Sequence, residues 1–318
     1  MGEAARFTVL GSGFGLYGYL PALLELGQRV TLPMRYQSVL AIRPELSKFI
    51  PRVDWCGDVE AALAAADSVI VALRPADQAK WLPRLVRMPT IRQLILEKPI
   101  APTPDLSAAL LADLERCGKR YRVGYIFRLL LWAQQLRLTL AEGSTAGSLD
   151  WTFLAHHYRN DLSNWKRYDA EGGGALRFYG THLIALFAEF GYDDVLDSVV
   201  WGTSDSETQQ WKATFTGPSL APFAVNINSR ASEMVFRIKL HRTRRDSDQG
   251  TDWGVDAVVS QPDPFSGERA ATPRGQDIRV AVLERLCKSL LENDDDHRRR
   301  QQAIIRLWGC VEKKSRRT

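Results

Sequence analysis

The sequence lacks the features that mark several large classes of protein. Its four cysteines are scattered over 318 residues and no two have Cys-x-x-Cys spacing, so we expect neither a metal site nor disulfides, but thiols buried in a reducing compartment. No apolar run approaches the roughly 20 residues that a membrane-spanning helix needs. The first residues lead directly into a predicted strand, without the apolar core of a signal peptide. These absences predict a cytoplasmic protein with no metal and no membrane partner.

Signatures of nucleic-acid binding are absent as well. The chain carries a net charge of +5 and finishes with the basic tail KKSRRT. A basic tail can bind nucleic acid, but no zinc-finger spacing, basic-region heptads or RNA-binding aromatic motif accompanies this one. The hydrophobic content of 45% and the charged content of 25% are those of an ordinary globular protein. We predict no nucleic-acid partner, and the positive charge suits an anionic cofactor or a small-molecule substrate.

Two kinds of hydrophobic pattern divide the chain near residue 121. Up to that point, short apolar runs such as RFTVL, DSVIVAL and RQLIL alternate with segments of helical spacing, which is the pattern of a parallel sheet covered on both faces. Beyond it come strand-length segments separated by Gly, Pro, Asn and Ser, and two closing helices. We predict an α/β N-terminal Rossmann domain over residues 1–121 and an α+β C-terminal domain over residues 122–318, built on an open, mostly antiparallel sheet.

The predicted C-terminal strands carry large apolar residues, and the sequence predicts too few helices to cover them. Trp211 and Phe215 lie on one strand, and Val235 and Phe236 lie on another. Because a large apolar surface on a soluble protein marks an interaction site, we expect this sheet to be covered by a second copy of the chain. We predict a homodimer or homotetramer formed through the C-terminal sheet.

A glycine-rich turn follows the first predicted strand. Gly11 and Gly13 are followed by Gly15, while Leu16 occupies the position where a dinucleotide-binding GxGxxG motif has its third glycine. In that motif the glycines let the chain turn and approach a pyrophosphate, which then faces the N-terminus of the helix. We therefore predict that Gly11, Gly13, Phe14, Gly15 and Leu16 bind a dinucleotide. The alternative is a purely structural turn.

The end of the second predicted strand lacks an acidic residue. NAD-binding sites usually place Asp or Glu there, to accept a hydrogen bond from the ribose 2′-hydroxyl, whereas this segment reads VTLPMRYQ. Its one cation, Arg35, suits a 2′-phosphate, so we predict NADP in preference to NAD. The alternative is that Arg35 is an ordinary surface residue.

A second motif, Glu97-Lys98-Pro99, directly follows an apolar strand. Lysine at the carboxyl end of a parallel strand lies where such sheets bind ligands. Glu97 can orient the ammonium, and the proline fixes the turn. The preceding apolar strand ends at Leu73-Arg74-Pro75. We expect both strand ends to border the dinucleotide.

The sequence resembles the glucose–fructose oxidoreductase, inositol dehydrogenase and MocA (Gfo/Idh/MocA) family of dinucleotide-dependent oxidoreductases. The segments that carry the resemblance, in the family's order, are GSGFGLYGYLPAL, SVIVALRPADQ, LEKPIAPTPD, VGYIFR and GGGALRFYGTHLI. The resemblance implies a Rossmann domain, an open-sheet domain, and a sugar, cyclitol or related substrate between them. It also implies that Lys98 contacts both the nicotinamide side and the substrate hydroxyl, and that His182 is the general acid/base.

These residues predict an enzyme that interconverts an alcohol and a ketone on a sugar, nucleotide sugar, cyclitol or related small molecule. Hydride would pass between the nicotinamide and the carbinol carbon. His182 would exchange the hydroxyl proton, since imidazole ordinarily titrates near neutral pH. Lys98 would stabilise the developing alkoxide by charge and hydrogen bonding. Without the resemblance, the apolar neighbours of His182 favour a packed core histidine instead.

The sequence departs from the family at two positions. Family members often read GGGxLxDxGxH, but Phe178 holds the Asp position here, and Gln78 stands where a histidine is common. A ring at Phe178 makes the predicted pocket less polar. One interpretation is a substrate that is less hydroxylated or more aromatic than a simple polyol. The other is a non-catalytic dinucleotide-binding regulator or scaffold on the same fold, although retention of Lys98 and His182 favours the enzyme.

Further residues are candidates for the same predicted cleft. Tyr179 is a candidate for catalysis and, together with Phe178, for substrate binding. Arg128 could bind an anionic group of the substrate or brace the two domains. Trp165 lies in a polar and aromatic segment before the glycines and is a further candidate for substrate binding.

Overall fold

Two packing units make up the part of the chain that the computed structural model describes, which is residues 5–141, 145–244, 252–271, 275–292 and 296–318. The first unit comprises Met1–Ala101, Leu106–Leu129 and Glu268–His297, and the second comprises Pro102–Asp105, Leu130–Gly267 and Arg298–Thr318. A segment late in the chain therefore packs with the N-terminal residues, which the order of the motifs does not indicate. The predicted assignment of functions to residues 1–121 and 122–318 stays a prediction.

A six-stranded parallel sheet forms the centre of the first unit. Its order, β3-β2-β1-β4-β5-β6, is that of a doubly wound dinucleotide-binding fold. The strands β4 and β5 are buried at every residue, as expected of strands covered on both faces. The predicted Rossmann architecture is confirmed. The strands are β1 Arg6–Leu10, β2 Arg29–Pro33, β3 Asp54–Cys56, β4 Ser68–Val71, β5 Gln93–Leu96 and β6 Arg120–Val123.

Local sequence signals account for several helix ends. Asp58 caps α4 by accepting a hydrogen bond from the Ala61 amide (2.8 Å), and Gly118, at φ +67°, follows α6. The first helix begins with a π-helical turn, Gly15–Tyr19. The α-helices are α1 Leu20–Glu25, α2 Gln37–Ala41, α3 Pro44–Ser47, α4 Val59–Ala64, α5 Pro75–Arg87, α6 Pro104–Arg116, α7 Leu131–Leu140, α8 His156–Arg159, α9 Thr181–Glu189, α10 Val280–Glu292 and α11 His297–Lys314.

The second unit is built on a seven-stranded sheet in the order β12-β11-β7-β10-β9-β8-β13. The pairs β7/β10 and β8/β13 are parallel, and the other neighbouring pairs are antiparallel. The predicted open, mostly antiparallel sheet is therefore confirmed. Its strands are β7 Thr145–Leu154, β8 Asp194–Trp201, β9 Gln210–Gly217, β10 Leu220–Asn228, β11 Arg230–Arg244, β12 Asp252–Gln261 and β13 Ser315–Arg317.

The two faces of the second sheet differ in polarity. One face carries aromatic and aliphatic side chains that pack against helices, and Phe187 of α9 stacks on Phe215 with 4.7 Å between ring centroids. The other face carries polar side chains. On it, the Gln210 amide donates to Asn226 (3.0 Å), and the Asn226 amide donates to Asp150 (3.1 Å), across three neighbouring strands. This alternation is typical of an antiparallel sheet with one covered face.

The aromatic residues on which the oligomer was predicted are buried within the chain itself. Trp211, Phe215 and Phe236 have 0% exposed surface, so they cannot supply an apolar contact face. The expectation that too few helices cover these residues is wrong. Phe187 of α9 packs on Phe215, Trp132 of α7 lies 4.9 Å from Phe236, and a Cβ on Gly180 would lie 2.8 Å from the Trp211 ring. Val235 is half-buried and pairs with Thr152 on the polar face. A homodimer or homotetramer through this sheet stays a prediction.

The basic segment KKSRRT begins in α11, which ends at Lys314, and continues as β13, which pairs in parallel with β8 from Ser315 to Arg317. One smaller expectation also needs correction. The four cysteines are free thiols, but only Cys287 is buried, and Cys117 is exposed. None of the helices in the described residues combines the length and the apolar character needed to cross a membrane.

Candidate functional site

The glycine-rich turn lies at the carboxyl end of β1, in the middle of the parallel sheet. Gly11 adopts φ +118°, and a Cβ on it would lie 2.2 Å from the Ala72 carbonyl oxygen, so only glycine fits. A Cβ on Gly13 would instead meet nothing within 4 Å. The turn thus closes against the end of β4 and leaves open space beside Gly13, where an anion could approach the backbone.

Gly15 accounts for the unusual spacing of the motif. A Cβ on Gly15 would lie 2.6 Å from the Val9 side chain, so this glycine lets the helix pack closely on the sheet. That is the role of the third glycine in the regular motif. Leu16, in the regular third position, is fully buried, and its amide donates to the Gly13 carbonyl (2.9 Å). A cofactor contact by Leu16 stays a prediction.

The side chain of Phe14 packs within the first unit. Its ring lies against Gly18, where a Cβ would come within 2.5 Å of it, and the guanidinium carbon of Arg279 lies 4.3 Å from the ring centroid. Arg279 in turn donates two hydrogen bonds to Asp277, each 2.7 Å. A cofactor contact by Phe14 stays a prediction, and its amide lies at the start of a helix, where N–H groups lack intrahelical acceptors.

Arg35 lies two residues after the end of β2, in the 3₁₀ turn Met34–Tyr36, and its side chain is exposed. Its guanidinium carbon lies 5.2 Å from the centroid of the Tyr36 ring, which is a cation–π distance. The Tyr36 hydroxyl accepts a hydrogen bond from the Gly11 amide (3.1 Å). Tyr36, which the sequence analysis did not single out, therefore ties the end of β2 to the glycine-rich turn.

The end of β4 leads into α5 at the same edge of the sheet. Arg74 is the residue before the helix, and Pro75 is its first residue. The Arg74 side chain is 57% exposed and donates to Asp77 (2.7 Å). Leu73 is half-buried. The topology thus brings these three residues to the edge that holds the glycine-rich turn, and their contact with a cofactor stays a prediction.

The segment Glu97-Lys98-Pro99 follows β5 at this edge as well. The Tyr19 hydroxyl donates a hydrogen bond to the Glu97 carboxylate (2.6 Å), and a Cβ on Gly124 would lie 2.6 Å from that carboxylate. Burial raises the pKa of Glu97, while the hydrogen bond from Tyr19 and the charge of Lys98 act in the opposite direction. Lys98 is 7% exposed, and charges interact more strongly in such surroundings than in water.

Gln78 holds the backbone around Lys98. Its side-chain NH₂ donates to the carbonyls of Glu97 (2.7 Å) and Pro99 (3.0 Å), and its side-chain oxygen accepts from the Glu97 amide (3.1 Å). It has no exposed surface. In the sequence, Gln78 stands out only as a departure from the family, because nothing local connects it with a segment some 20 residues later.

The segment after β6 completes this edge of the first unit. The Tyr125 hydroxyl is buried and has no hydrogen-bond partner among the described residues. Burial, and to a lesser extent the charge of Glu97, raise the pKa of Tyr125, so the hydroxyl is protonated and can donate to a ligand. Arg128 lies three residues further on, in the 3₁₀ turn Ile126–Leu129, and is half-buried.

In the second unit, the three glycines before α9 form a tight turn. A Cβ on Gly173 would lie 2.3 Å from the Trp165 carbonyl oxygen. Gly174 adopts φ +77°, and a Cβ on it would lie 2.2 Å from the Asp169 carboxylate. The next amide, that of Ala175, donates to the carbonyl of Thr208, which lies between β8 and β9 (2.6 Å). These contacts require glycine and fix where the following helix begins.

His182 is the second residue of α9, after the π-helical segment Ala175–Gly180. It is 8% exposed, and every residue of α9 from Thr181 to Ala188 is buried. Low exposure suits a core histidine, and it equally suits a catalytic histidine in a closed site. The catalytic role of His182 therefore stays a proposal.

Phe178 and Tyr179 belong to a chain of contacting rings, which we call the aromatic cluster: Trp151, Phe153, Trp165, Phe178 and Tyr179. Phe178 lies edge-on to Trp165 (5.2 Å between ring centroids) and to Tyr179 (4.8 Å). Tyr179 continues the chain to Phe153 (4.8 Å) and Trp151 (5.6 Å). Burial raises the pKa of Tyr179, so its hydroxyl is protonated near neutral pH. The structure thus brings three predicted substrate residues together.

Lys166 adds a cation to the aromatic cluster. Its ammonium nitrogen lies 5.4 Å from the centroid of the Phe178 ring. The neighbouring Arg167 is paired with Glu207 (3.2 Å) and Asp161 (3.4 Å) instead. Within the described ranges, no three His, Cys, Asp or Glu side chains are grouped so that they could hold a metal ion. This part of the second unit can therefore offer flat apolar surface and positive charge to a ligand.

Comparison with known proteins identifies solved structures that share the fold of this chain. Neither a protein-family model nor a curated protein matches the sequence. Solved structures match almost its whole length. An oxidoreductase from Agrobacterium radiobacter in complex with NAD+, L-tartaric acid and magnesium is 14% identical, and the match covers 98% of this chain and 95% of that one with a TM-score of 0.70.

Two further solved structures are similar to the same degree. The WlbA dehydrogenase from Thermus thermophilus, in complex with NAD and UDP-GlcNAcA, is 14% identical over 99% of this chain and 96% of its own, with a TM-score of 0.67. A 3-ketoreductase from Actinomadura kijaniata, in complex with NADP and TDP-benzene, is 16% identical over 99% of each chain, with a TM-score of 0.68. At these identities the likeness shows that the chain shares their fold.

Proposed function

We propose that the protein is an NAD(P)-dependent oxidoreductase of the glucose–fructose oxidoreductase, inositol dehydrogenase and MocA family, which interconverts an alcohol and a ketone. The observation that carries the proposal is the position of the glycine-rich turn and of Lys98 at one edge of a parallel sheet, with open space beside Gly13. Proteins of the same fold that were solved with NAD or NADP support it.

The dinucleotide would lie along the carboxyl ends of β1, β2, β4 and β5. Backbone N–H groups at the start of the first helix would bind the pyrophosphate, because that helix end attracts anions. Arg35 would bind the 2′-phosphate of NADP through its exposed guanidinium. The strand ends at Leu73 and Lys98 would border the nicotinamide half. The buried Tyr125 hydroxyl is a further donor for this half of the cofactor.

The nicotinamide, when bound, exchanges a hydride with the carbinol carbon of the substrate. The His182 imidazole would exchange the hydroxyl proton, as a base in oxidation and as an acid in reduction. The Lys98 ammonium would donate a hydrogen bond to the same oxygen and stabilise its developing negative charge. Glu97 would orient that ammonium, and Gln78 would keep the backbone beside it fixed.

The proposed substrate is a small molecule that presents a planar or apolar group to the aromatic cluster and an anionic group to Lys166. Phe178 replaces the acidic residue that would suit a hydroxyl-rich ring, and its neighbours Trp165 and Tyr179 are aromatic. A nucleotide sugar offers both a planar base and phosphates. UDP-GlcNAcA and TDP-benzene in two proteins of the same fold support this class.

Titration of the protein with NADPH and with NADH, followed by a screen of alcohols and ketones, tests the proposal. We expect saturable binding of a reduced dinucleotide by fluorescence, and turnover of at least one substrate that His182→Asn suppresses without weakening cofactor binding. Cofactor binding with no turnover by any candidate would favour the regulator or scaffold, for which Phe178 in place of the family's Asp is the supporting observation. Absence of cofactor binding would contradict both functions.

A further inference from the structure

The last strand, β13, reaches the segment that leads into His182. The Arg317 guanidinium donates to the Asp169 carboxylate (2.7 Å), to the Thr208 hydroxyl (3.0 Å) and to the Ser204 carbonyl (3.0 Å). Asp169 lies three residues before the glycine turn 172–174. Arg317 is therefore hydrogen-bonded to Asp169, which lies just before the glycine turn.

Asp169 in turn supports the glycine turn directly. Its carboxylate accepts hydrogen bonds from the Thr208 amide (3.1 Å) and the Thr208 hydroxyl (2.7 Å) as well as from Arg317. The backbone of Gly174 packs so closely on this carboxylate that a Cβ would approach it to 2.2 Å. The Asp169 and Arg317 side chains are 20% and 29% exposed, so solvent reaches part of this charge-assisted contact.

A second contact holds the residues that follow the glycines. Arg177 donates two hydrogen bonds to Glu312 of α11 (2.7 and 2.9 Å) and one to the Asp169 carbonyl (2.7 Å). The Trp308 indole donates to the same Glu312 carboxylate (3.0 Å), which fixes its orientation. The Thr181 hydroxyl donates to the Arg177 carbonyl (2.9 Å). A continuous set of bonds thus runs from α11 to the residue before His182.

We propose that Arg317 and Glu312 are positioning residues. Their ion pairs with Asp169 and Arg177, which we call the C-terminal clamp, set the orientation of the helix that carries His182. The backbone of Gly174 packs on the Asp169 carboxylate, and Arg177 lies on the helical segment that follows, so the bonds that hold Asp169 and Arg177 also hold the point where this helix begins. If an acid/base group is displaced by about 1 Å from its position beside the reacting atoms, the rate of the reaction falls strongly. Contacts that hold the helix of His182 in place would therefore affect the rate. The proposal rests on the proposed role of His182, but the clamp is also measurable without turnover.

Amide hydrogen exchange in the free protein tests the clamp. In Arg317→Gln, we expect amides of residues 172–182 to exchange about tenfold faster, since local opening becomes easier when their anchor is lost, while amides of β1 and β5 keep the parental rate. Arg316→Gln is the matched control, because it removes the same charge from the adjacent, exposed residue of β13 and should change neither set. Arg317→Lys should restore part of the protection of amides 172–182 from exchange. Lysine keeps the positive charge but cannot donate hydrogen bonds from two nitrogen atoms as the guanidinium does.

Glu312→Gln provides a second, independent variant, which also serves if Arg317→Gln does not fold. It should speed exchange mainly from residue 175 onward, because Glu312 holds Arg177 and not the glycines. Exchange that rises uniformly across both sheets, or that does not change at 172–182 in either variant, would show that the two pairs contribute only to overall stability, and the proposal would be withdrawn.

Steady-state kinetics supply the readout that a merely structural contact would not move. With a substrate from the screen, Arg317→Gln should lower kcat about tenfold per folded molecule and leave the NADPH dissociation constant unchanged, because the proposed cofactor residues lie in the first unit. Parental kcat in a variant with faster exchange at 172–182 would overturn the positioning role. If the parent turns over nothing, the proposed function fails, and hydrogen exchange alone then decides whether the clamp holds the helix.

Discussion

The two units assemble their candidate residues by different means. In the first, Gly11, Arg35 and Lys98 lie at the ends of three parallel strands, so the sheet gathers them at one edge. In the second, Phe178 and His182 lie on one helical stretch that is anchored by ion pairs to residues 135 and 148 positions away in sequence. The comparison teaches that sheet topology alone can align the candidate residues of the first unit, while those of the second unit depend on a few long-range contacts.

The buried carboxylates of the two units show the same contrast. Burial raises the pKa of both Glu97 and Asp169. Glu97 is stabilised chiefly by the neutral Tyr19 hydroxyl, with Lys98 as its neighbouring cation, whereas Asp169 is held by Thr208 and the Arg317 guanidinium. Because part of each clamp pair is exposed, salt should weaken the support of Asp169 more than that of Glu97.

The largest expected effect comes from removing the proposed reacting group of either unit. His182→Asn should lower kcat by about 10²–10⁴-fold, the usual contribution of one general acid/base, and Lys98→Met should be at least as damaging. For His182→Asn, cofactor binding by fluorescence and the far-UV circular dichroism spectrum should stay close to those of the parent. His156→Asn, which changes an exposed histidine of the same unit, is the control and should retain activity.

The double variant decides whether the two units serve one reaction. If Lys98 and His182 stabilise a single transition state, the combined loss should be much smaller than the product of the two single losses. Fully multiplicative losses would contradict a shared reacting centre. A His182 variant that is unstable but fully active per folded molecule would show that His182 is a core residue, and the proposed chemistry would then be withdrawn.

Sequence patterns predicted the candidate residues of the first unit better than those of the second. In the first unit these residues come shortly after strands that the sequence pattern already indicates. The glycine-rich turn, Arg35 and Lys98 all lie where the strand pattern placed them. What the sequence could not show was Gln78 bridging the Lys98 turn, since such a contact depends on two segments folding side by side. Likewise, Gly15 takes over the packing role of the third glycine, which only the approach of Val9 reveals.

In the second unit, the sequence predicted the mostly antiparallel sheet but not the ion pairs of the C-terminal clamp. Arg317 belonged to a segment that composition alone presents as a basic tail, and nothing local connects it with Asp169. The covering of Trp211 was missed for the same reason, because burial on a sheet face depends on which helices pack there. Local patterns specify the elements, and the pairs that fix their orientation are non-local.

A smaller effect is expected when the family's acidic residue is restored in the second unit. Phe178→Asp would place a carboxylate between Trp165 and Tyr179, and we expect kcat/KM to fall about 10- to 100-fold because a charge among rings is poorly compensated. Phe178→Leu, which keeps the site apolar, should lose less. Higher activity of the Asp variant on a hydroxyl-rich sugar would contradict the proposed substrate class.

The pH dependence of stability should reveal a buried histidine of the second unit. Burial, followed by the charges of Lys166, Arg167 and His156, lowers the pKa of His157 to about 4. In the unfolded chain the ring takes up a proton near its ordinary pKa of about 6.5, so between these values the unfolded state binds more protons. Stability should therefore be full above about pH 6.5 and fall towards pH 4 by up to about 3 kcal/mol.

Urea unfolding at pH 7 and at pH 4.5 measures this loss. His157→Gln removes the titrating group, so the variant should lose less stability than the parent over the same pH interval. Equal losses in the two proteins would mean that His157 is accessible to protons in the folded state. Such a result would mean that a buried histidine with a lowered pKa does not distinguish the second unit from the first.

The smallest expected effect concerns cofactor choice in the first unit. Arg35 is exposed, so its contact with a 2′-phosphate would be partly screened, and Arg35→Ala should weaken NADPH binding by only about tenfold while leaving NADH binding unchanged. The parent should bind NADPH more tightly than NADH. Arg29→Ala removes an exposed arginine from the opposite end of β2 and should leave the ratio of the two dissociation constants as it is. Equal affinities in the parent, or an unchanged ratio in Arg35→Ala, would contradict the NADP preference. Neither result would contradict the proposed role of the glycine-rich turn, because that turn would bind the pyrophosphate, which both cofactors share.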